Sequence, residues 1–272
     1  MFKFLTNNNL NKNDFIDKKE LDNIKKMYNS MDKNDEFEVS FYNNRNSLKR
    51  ISLENFVDII NYMKWVDKKK ISVSNNLDIS YTDNNNVYRI TINDYNKINN
   101  ELRGSHLYQR NNYTIFKVLL QKYLSKEEGF TMHKKERDLK NVIDFKELDL
   151  RLRKFKELKV TSNEIEKLKK LDYSNNNNIL FRYKQRVSLI LFNNKDVELR
   201  LDLTKVRMSK KINEIDKSVE NHELELELNK YGKSSDNKYL EYFYKELFNS
   251  IFILEKSKYL IKKTESNNIL NL

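Results

Sequence analysis

Six consecutive residues late in the chain alternate strictly between acidic and apolar side chains, reading Glu-Leu-Glu-Leu-Glu-Leu from Glu223 to Leu228. In a β-strand, successive side chains point to opposite faces of the sheet. The three glutamates therefore share one face, and the three leucines share the other. Because the leucines require an apolar core, the glutamates must face either bulk water or a ligand such as a metal ion.

The same alternation between apolar and charged side chains recurs in other segments that are predicted to be strands. Their polar faces hold Glu36 and Glu38, then Arg89, Lys117, Arg151 and Arg153, then Arg182, Lys184 and Arg186, then Glu198, Arg200, Asp202 and Thr204, and last Glu223, Glu225 and Glu227. The first and last strands are acidic, whereas the middle strands are basic.

Two arrangements are compatible with this separation of charge. In an ordinary antiparallel sheet, the polar face is simply solvated. In a sheet that closes on itself, the charged side chains point inward, where carboxylates would bind a metal ion and the basic residues would bind a polyphosphate. Like charges held so close together repel one another, so this second arrangement requires a cation and an anion in the interior.

Hydrophobic periodicity gives a coarse map of the secondary structure. Helices are predicted at residues 14–31, 52–67, 94–102, 162–171 (with Ser162 as N-cap) and 237–262. Strands are predicted at residues 35–42, 77–82, 87–92, 114–120, 148–155, 179–191, 197–206 and 222–229. Many antiparallel strands with a few helices outside predict an α+β fold built around a barrel or a strongly curved sheet. No linker or repeat is evident, so a single domain over residues 1–272 is expected.

Composition excludes several kinds of site. The chain has no Cys and 3 His, which excludes thiolate metal sites and a Cys nucleophile and disfavours a His-rich metal site. Carboxylate oxygens suit Mg²⁺ or Mn²⁺ instead. With 3 Gly, the chain contains neither of the glycine-rich phosphate-binding loops. The net charge of +12 favours a polyanionic partner, nucleic acid rather than membrane.

Apolar runs such as residues 247–254 are too short to span a bilayer, and the N-terminal residues do not form a secretory signal. A soluble intracellular protein that does not bind membranes is expected.

Four motifs, in order, resemble those of the triphosphate tunnel metalloenzymes, and in particular the metal-dependent RNA 5′-triphosphatases that begin mRNA capping in fungi, poxviruses and giant DNA viruses. They are an opening E-x-E strand at residues 36–41, a K-x-R strand at 181–188, an R-x-D-x-T strand at 200–204 and a closing E-x-E-x-E strand at 223–227. Residues 143–153 resemble the arginine-bearing strand of the family less distinctively. The resemblance implies a closed antiparallel barrel of about eight strands.

The resemblance also implies roles for individual residues. Glu36 and Glu38 would be metal ligands, with Glu227 or Glu225 as the third ligand. Glu223 or Glu225 would position the attacking water.

The basic residues and their partners receive roles in the same way. Phosphate contacts are implied for Lys184, Arg186, Arg200 and one of Arg151 and Arg153. Asp202 and Thr204 would orient the basic residues. Position on the predicted polar faces, without a matching motif, adds three further substrate-binding candidates: Arg89, Lys117 and Arg182.

The implied function is a phosphohydrolase that removes the γ-phosphate of 5′-triphosphate RNA, with NTPs as further substrates and Mg²⁺ or Mn²⁺ as cofactor. Two alternatives remain: a tripolyphosphatase or polyphosphate polymerase of the same fold, and a non-catalytic basic nucleic-acid-binding protein. Other capping-enzyme domains or subunits are expected partners. A cytoplasmic location is expected, with a viral factory or the virion as more specific places.

Overall fold

The structure is a computed structural model, and it describes residues 18–41, 51–83, 86–101, 106–136, 141–145, 149–170, 178–232 and 237–269. The strands are β1 (Asp35–Phe41), β2 (Ile71–Asp83), β3 (Asn86–Asn93), β4 (Phe130–Glu136), β5 (Val142–Phe145), β6 (Leu150–Lys159), β7 (Ile179–Asn193), β8 (Val197–Ser209) and β9 (Asn221–Lys230). The helices are α1 (Lys18–Asn29), α2 (Leu53–Asp67), α3 (Tyr95–Asn99), α4 (Asn112–Leu124), α5 (Ser162–Lys170) and α6 (Asn237–Ile269), with short 3-10 helices at Lys68–Lys70, Leu107–Gln109 and Ile212–Lys217.

The strands close into a barrel. Within the described residues, eight strands form a ring in the order β1-β9-β8-β7-β2-β3-β4-β6, and pairing of β1 with β6 completes it. Every adjacent pair is antiparallel. The short strand β5 pairs with β6 beyond the segment that pairs with β4, so β4 and β5 share one neighbour. The predicted α+β fold and the closed barrel of about eight strands are confirmed.

The hydrophobic core lies outside the barrel, between the strands and the helices. One cluster joins the apolar faces of β1, β8 and β9 to helices α1, α2 and α6, and the three leucines of β9 belong to it. A second cluster joins β2, β3 and β4 to helices α4 and α5. This placement of the core leaves the opposite, polar face of each strand for the interior of the barrel.

One β-bulge changes the direction of side chains within a strand. In β7, Ile190 pairs with Arg200, whereas Phe192 pairs with Leu199, and the register shifts between them. Ile190 therefore shares the inner face with Arg200, while Phe192 shares the outer face with Leu199. The Phe192 ring packs outside the barrel, 5.2 Å from the ring of Tyr239 on α6.

Most predicted elements are present with shifted ends. The predicted hairpin is β2–β3, although β2 begins six residues before the predicted start at Leu77. Residues 14–17 of the first predicted helix, turn residues 84 and 85, and residue 148 lie outside the described residues. The predicted N-cap of α5 is wrong. Thr161 fills that position, because its Oγ1 accepts from the Glu164 backbone N–H and its own N–H donates to the Glu164 carboxylate, which is a capping box.

The strand predicted over Thr114–Leu120 is wrong, because this segment lies within helix α4. Ile115, Phe116, Leu119 and Leu120 recur at helical spacing and are buried in the second cluster. The Asn111 side chain caps the helix by accepting from the Thr114 N–H at 2.8 Å. Strand β4 was not predicted, because apolar and polar residues alternate over only its first few residues.

None of the described helices has the length and the apolar content that are needed to cross a bilayer.

Candidate active site

The strand registers place the predicted polar faces on one side of the closed sheet. In antiparallel pairs, residues directly opposite one another point to the same face. Glu38 lies opposite both Arg153 and Glu227, and Glu227 in turn lies opposite Arg200. Because the apolar neighbours of these residues fill the outer core, the charged side chains line the barrel interior.

Three glutamates on adjacent strands bring their carboxylates together. One oxygen from each of Glu36, Glu38 and Glu227 lies within 4.8 Å of the other two, and all three residues are buried. The register explains why Glu227, not Glu225, completes this triad, since Glu225 lies opposite Ser40, two residues farther along β1 than Glu38. We call Glu36, Glu38 and Glu227 the acidic triad.

The environment of Glu36 disfavours its ionised form when no cation is bound. Burial raises the pKa of Glu36 well above its usual value. Lys135, whose Nζ lies 3.5 Å from a Glu36 oxygen, opposes this rise, whereas the charges of Glu227 and Glu38 add to it. A divalent cation would relieve the repulsion, and it would bind more weakly as the pH falls because it requires ionised ligands.

The donor set of the acidic triad fits a hard divalent cation. All three candidate ligands are carboxylates, which suit Mg²⁺ or Mn²⁺ and not a thiophilic metal. Their position in the wall of a closed barrel leaves one side of the site facing the interior, where a phosphate could approach. The residues present therefore fit the metal that the sequence predicts.

Arg200 and Asp202 form the centre of an ion-pair network beside the triad. Arg200 donates to Glu198 at 3.1 Å and to Asp202 at 3.0 Å, and it also donates to Glu227 of the triad. The Asp202 carboxylate is fully buried, accepts from Ser188 at 2.6 Å and lies 2.9 Å from Arg186. Burial alone would lower the pKa of Arg200, but Glu227 and Asp202 raise it overall, so its guanidinium stays charged.

Lys184 and Arg89 meet at Asp78 on the opposite wall. Lys184 Nζ lies 2.6 Å from Asp78 Oδ2, and Arg89 lies 3.8 Å from the same oxygen. Burial lowers the pKa of Lys184 to about 8 despite this carboxylate, and the charges of Arg186, Arg89 and Arg182 act in the same direction. Asp78 itself keeps a pKa well below its usual value, because these cations outweigh the effect of burial.

The other predicted residues of the interior differ in the hydrogen bonds that they make. Arg182 donates to both oxygens of Glu223, at 2.9 and 3.1 Å, and Arg153 donates to Glu38 and, at 3.1 Å, to Ser40. The predicted orienting role of Thr204 has no support among the described contacts, because its buried Oγ1 has no hydrogen-bond partner there.

Two predicted substrate-binding residues do not contact the acidic triad or its neighbours in the described contacts. Lys117 is on α4, outside the barrel, and its Nζ lies 4.4 Å from the centroid of the Tyr113 ring. Its assignment to the polar faces is therefore wrong, since it depended on a strand that is a helix. Arg151 lies opposite Ser40 on the inner face of β6, but its side chain is 42% exposed and pairs with Asp144 of β5, whereas Arg153 pairs with Glu38 of the triad.

Sequence reasoning missed interior residues on three strands. Asp78 lies on the polar face of a predicted strand, and its parity with Ser80 could have identified it. Lys135 belongs to β4, which was not predicted. Glu157 lies beyond the predicted end of β6, where Phe155 interrupts the charged alternation; its carboxylate is 3.9 Å from Arg89.

Comparisons with known proteins agree with this geometry. A family model described as mRNA capping enzyme, beta chain, matches residues 135–258, which include β6 to β9. The crystal structure of the RNA triphosphatase domain of a trifunctional mimivirus mRNA capping enzyme is 26% identical, covers 88% of this chain and 99% of that chain, and gives a TM-score of 0.65.

Two further mimivirus structures, both of the capping enzyme triphosphatase, are similar. The monoclinic form is 26% identical, covers 88% of this chain and 99% of that chain, and gives a TM-score of 0.66. The triclinic form is 25% identical, covers 90% of this chain and 98% of that chain, and gives a TM-score of 0.64. No curated protein sequence matches the chain.

Proposed function

We propose that this chain is a member of the triphosphatase family of mRNA capping enzymes, and that it hydrolyses the γ-phosphate of 5′-triphosphate RNA inside its barrel with the help of Mg²⁺ or Mn²⁺. The observation that carries the proposal is the acidic triad set among half-buried arginines and a buried lysine in one closed interior. An interior with these two kinds of group complements a metal-bound polyphosphate.

The acidic triad is proposed to hold the metal. Glu36 and Glu38 come from β1 and Glu227 from β9, so two paired strands fix all three carboxylates. A divalent cation bound there would neutralise charge on oxygens of the terminal phosphate. Arg153 and Arg200, which donate to Glu38 and Glu227, orient these two ligands.

The cations of the interior are proposed to bind the phosphate chain. Arg200, Arg186 and Lys184 lie on two paired strands and present donors to the interior. Arginine can contact two phosphate oxygens at once, and Asp202 fixes the planes of both Arg186 and Arg200 for that purpose.

Glu225 is the proposed carboxylate that positions the attacking water. It is two residues from Glu227 on the same face of β9, about 7 Å along the strand, whereas Glu223 is twice as far away. Glu223 also accepts two hydrogen bonds from Arg182, which assigns it to orienting that arginine. Transfer of the phosphoryl group to water then requires no protein nucleophile.

Phosphate release from 5′-triphosphate RNA is the direct test of this function. We expect release of one phosphate per RNA end with Mg²⁺ or Mn²⁺ and none with excess EDTA. Free tripolyphosphate, assayed in parallel, separates RNA triphosphatase from the tripolyphosphatase alternative. RNA binding without phosphate release under any metal condition would contradict the proposal and favour the non-catalytic alternative.

The lowered pKa of Lys184 predicts an effect of pH on substrate capture. Below about pH 8 its ammonium is charged and binds phosphate, and above this pH it is increasingly neutral. Since kcat/KM reports groups of the free enzyme, we expect it to fall as pH rises through about 8. The measurement is kcat/KM between pH 6.5 and 10.

Lys184→Arg tests the assignment of this pH effect, because a guanidinium stays charged over the whole range. The inflection near pH 8 should disappear in this variant, whatever its absolute rate. Lys205→Arg, on the outer face of the neighbouring strand, is the matched control and should keep the inflection. An unchanged inflection in Lys184→Arg would assign the titration to another group.

The biological setting follows from the resemblance to viral capping enzymes and stays a prediction. We propose that other capping domains or subunits accept the diphosphate-ended RNA that this reaction produces. A cytoplasmic location, in a viral factory or the virion, is proposed on the same basis.

A further inference from the structure

An aromatic ring stands among the charged residues of the barrel interior. Phe155 lies directly opposite Glu36 in the pairing of β6 with β1, so it points to the same inner face. Its neighbours on that face of β6 are Arg153 and Glu157, which both form ion pairs in the interior. Phe155 is thus an apolar side chain next to the acidic triad.

The hydrophobic core does not account for the position of this ring. Among the described residues, neither of the two hydrophobic clusters includes Phe155, and the side chain is only half-buried. A phenylalanine that faces a charged, solvated interior loses hydrophobic stabilisation that an outward position would provide. Its position therefore requires a reason other than folding.

Lys135 links the ring to the triad. Its Nζ lies 4.1 Å from the centroid of the Phe155 ring and 3.5 Å from Glu36 Oε2. The cation–π contact fixes the orientation of the ring relative to Glu36. A group that stacks on Phe155 would therefore lie at a defined distance from a phosphate bound at the triad.

Tyr231 marks the same end of the barrel. It follows β9 and is two residues beyond Asn229, which lies opposite Glu36. Its ring is 43% exposed. Burial raises the pKa of its phenol, and the charges of Glu198, Glu36 and Glu227 raise it further against the opposing effect of Arg200. Aromatic side chains thus lie opposite Glu36 on β6 and just past the end of β9.

We propose that Phe155 is a specificity-determining residue that stacks on the base of the first nucleoside when its triphosphate is bound at the acidic triad. A nucleobase has an aromatic face for this contact, whereas inorganic tripolyphosphate has none. Phe155 thereby selects nucleoside triphosphate ends, in RNA or in free NTPs, over tripolyphosphate. The inference rests on the proposed function, since it assumes that the interior binds a triphosphate.

The test compares, by calorimetry with Mn²⁺ present, the binding of ATP and of tripolyphosphate in forms whose bridging oxygens are replaced by non-hydrolysable imido groups. The triphosphate can then bind at the triad, and the outcome does not depend on hydrolysis. Phe155→Leu keeps most of the apolar volume and removes the aromatic face. We expect this variant to bind ATP about 5- to 150-fold more weakly, the range for loss of one base–aromatic stack, and to bind tripolyphosphate within about twofold of the unmodified protein. Phe155→Trp should keep the affinity for ATP.

Phe192→Leu, which shortens an aromatic side chain on the outer face of β7, is the control and should leave both affinities unchanged. Equal losses for ATP and tripolyphosphate in Phe155→Leu would overturn the inference, because they would show that the ring only holds Lys135 in place. Unchanged binding of both ligands would also overturn it. The proposed function is tested separately by phosphate release. If the protein released no phosphate, the proposed function would fail, but a selective loss of ATP binding in Phe155→Leu would still support the inference.

Discussion

Glu36→Gln is expected to abolish metal-dependent phosphate release while leaving the fold intact. Replacing groups that merely support a metal ligand costs about 10- to 100-fold in affinity or activity, so loss of a ligand should exceed the upper value. Glutamine has nearly the same shape but no charge. Because burial and two neighbouring glutamates raise the pKa of Glu36, the neutral side chain should preserve or increase the melting temperature measured in EDTA.

The measurements for this variant are phosphate release from 5′-triphosphate RNA, Mn²⁺ binding by calorimetry and thermal melting. Glu220→Gln is a matched control, since Glu220 pairs with Arg207 at 3.3 Å and with Lys205 at 3.6 Å, away from the triad. It should retain full activity. Full Mn²⁺-dependent activity in Glu36→Gln would show that the acidic triad is not the metal site.

Asp202→Asn is expected to reduce both stability and activity, unlike Glu36→Gln. The Asp202 carboxylate is fully buried and pairs with Arg186 and Arg200 at 2.9 and 3.0 Å. Removing one member of a buried ion pair leaves an uncompensated charge and costs about 3 kcal/mol or more. The melting temperature should fall by several degrees, and kcat/KM should fall about 100-fold or more because two phosphate-binding guanidinium groups lose their orientation.

Asp144→Asn is the corresponding control, because Asp144 also pairs with an arginine but is 44% exposed. Exposed ion pairs contribute about 0–1 kcal/mol, so its melting temperature should change little. Denaturant unfolding and steady-state kinetics on both variants measure the two effects. If Asp202→Asn were as stable and as active as the unmodified protein, Asp202 would not organise the interior.

The strands that carry the site were the most predictable part of the fold. In residues 197–204 of β8 and 223–228 of β9, apolar and polar residues alternate strictly, and both the strands and their inner faces follow from that pattern alone. The sequence limited the third metal ligand to Glu225 or Glu227 but did not decide between them, because that choice depends on the register of β9 against β1. Strand pairing sets this register, and no single segment contains that information.

The errors of the sequence analysis have local physical causes. The segment around Lys117 contains β-branched and aromatic residues that suit a strand, but four of its apolar residues recur at helical spacing and pack in the second cluster. Asp78 and Lys135 form ion pairs with residues on other strands. These contacts exist only once the barrel has closed, so the local sequence does not indicate them. Phe155 interrupts the charged alternation of β6, and that interruption hid Glu157.

The bulge in β7 shows how the insertion of one residue affects a strand of the barrel. Along each strand, alternate side chains face the outer core and the barrel interior. A single inserted residue reverses which side chains face inward from that point onward. At Ile190 and Phe192 the reversal occurs in the last residues of the strand and moves an aromatic ring to the outside. The same insertion ahead of Arg182 would turn Arg182, Lys184 and Arg186 outward together. Substitutions within a strand therefore leave the inner face of the barrel in place, whereas an insertion ahead of the charged residues would remove them from it.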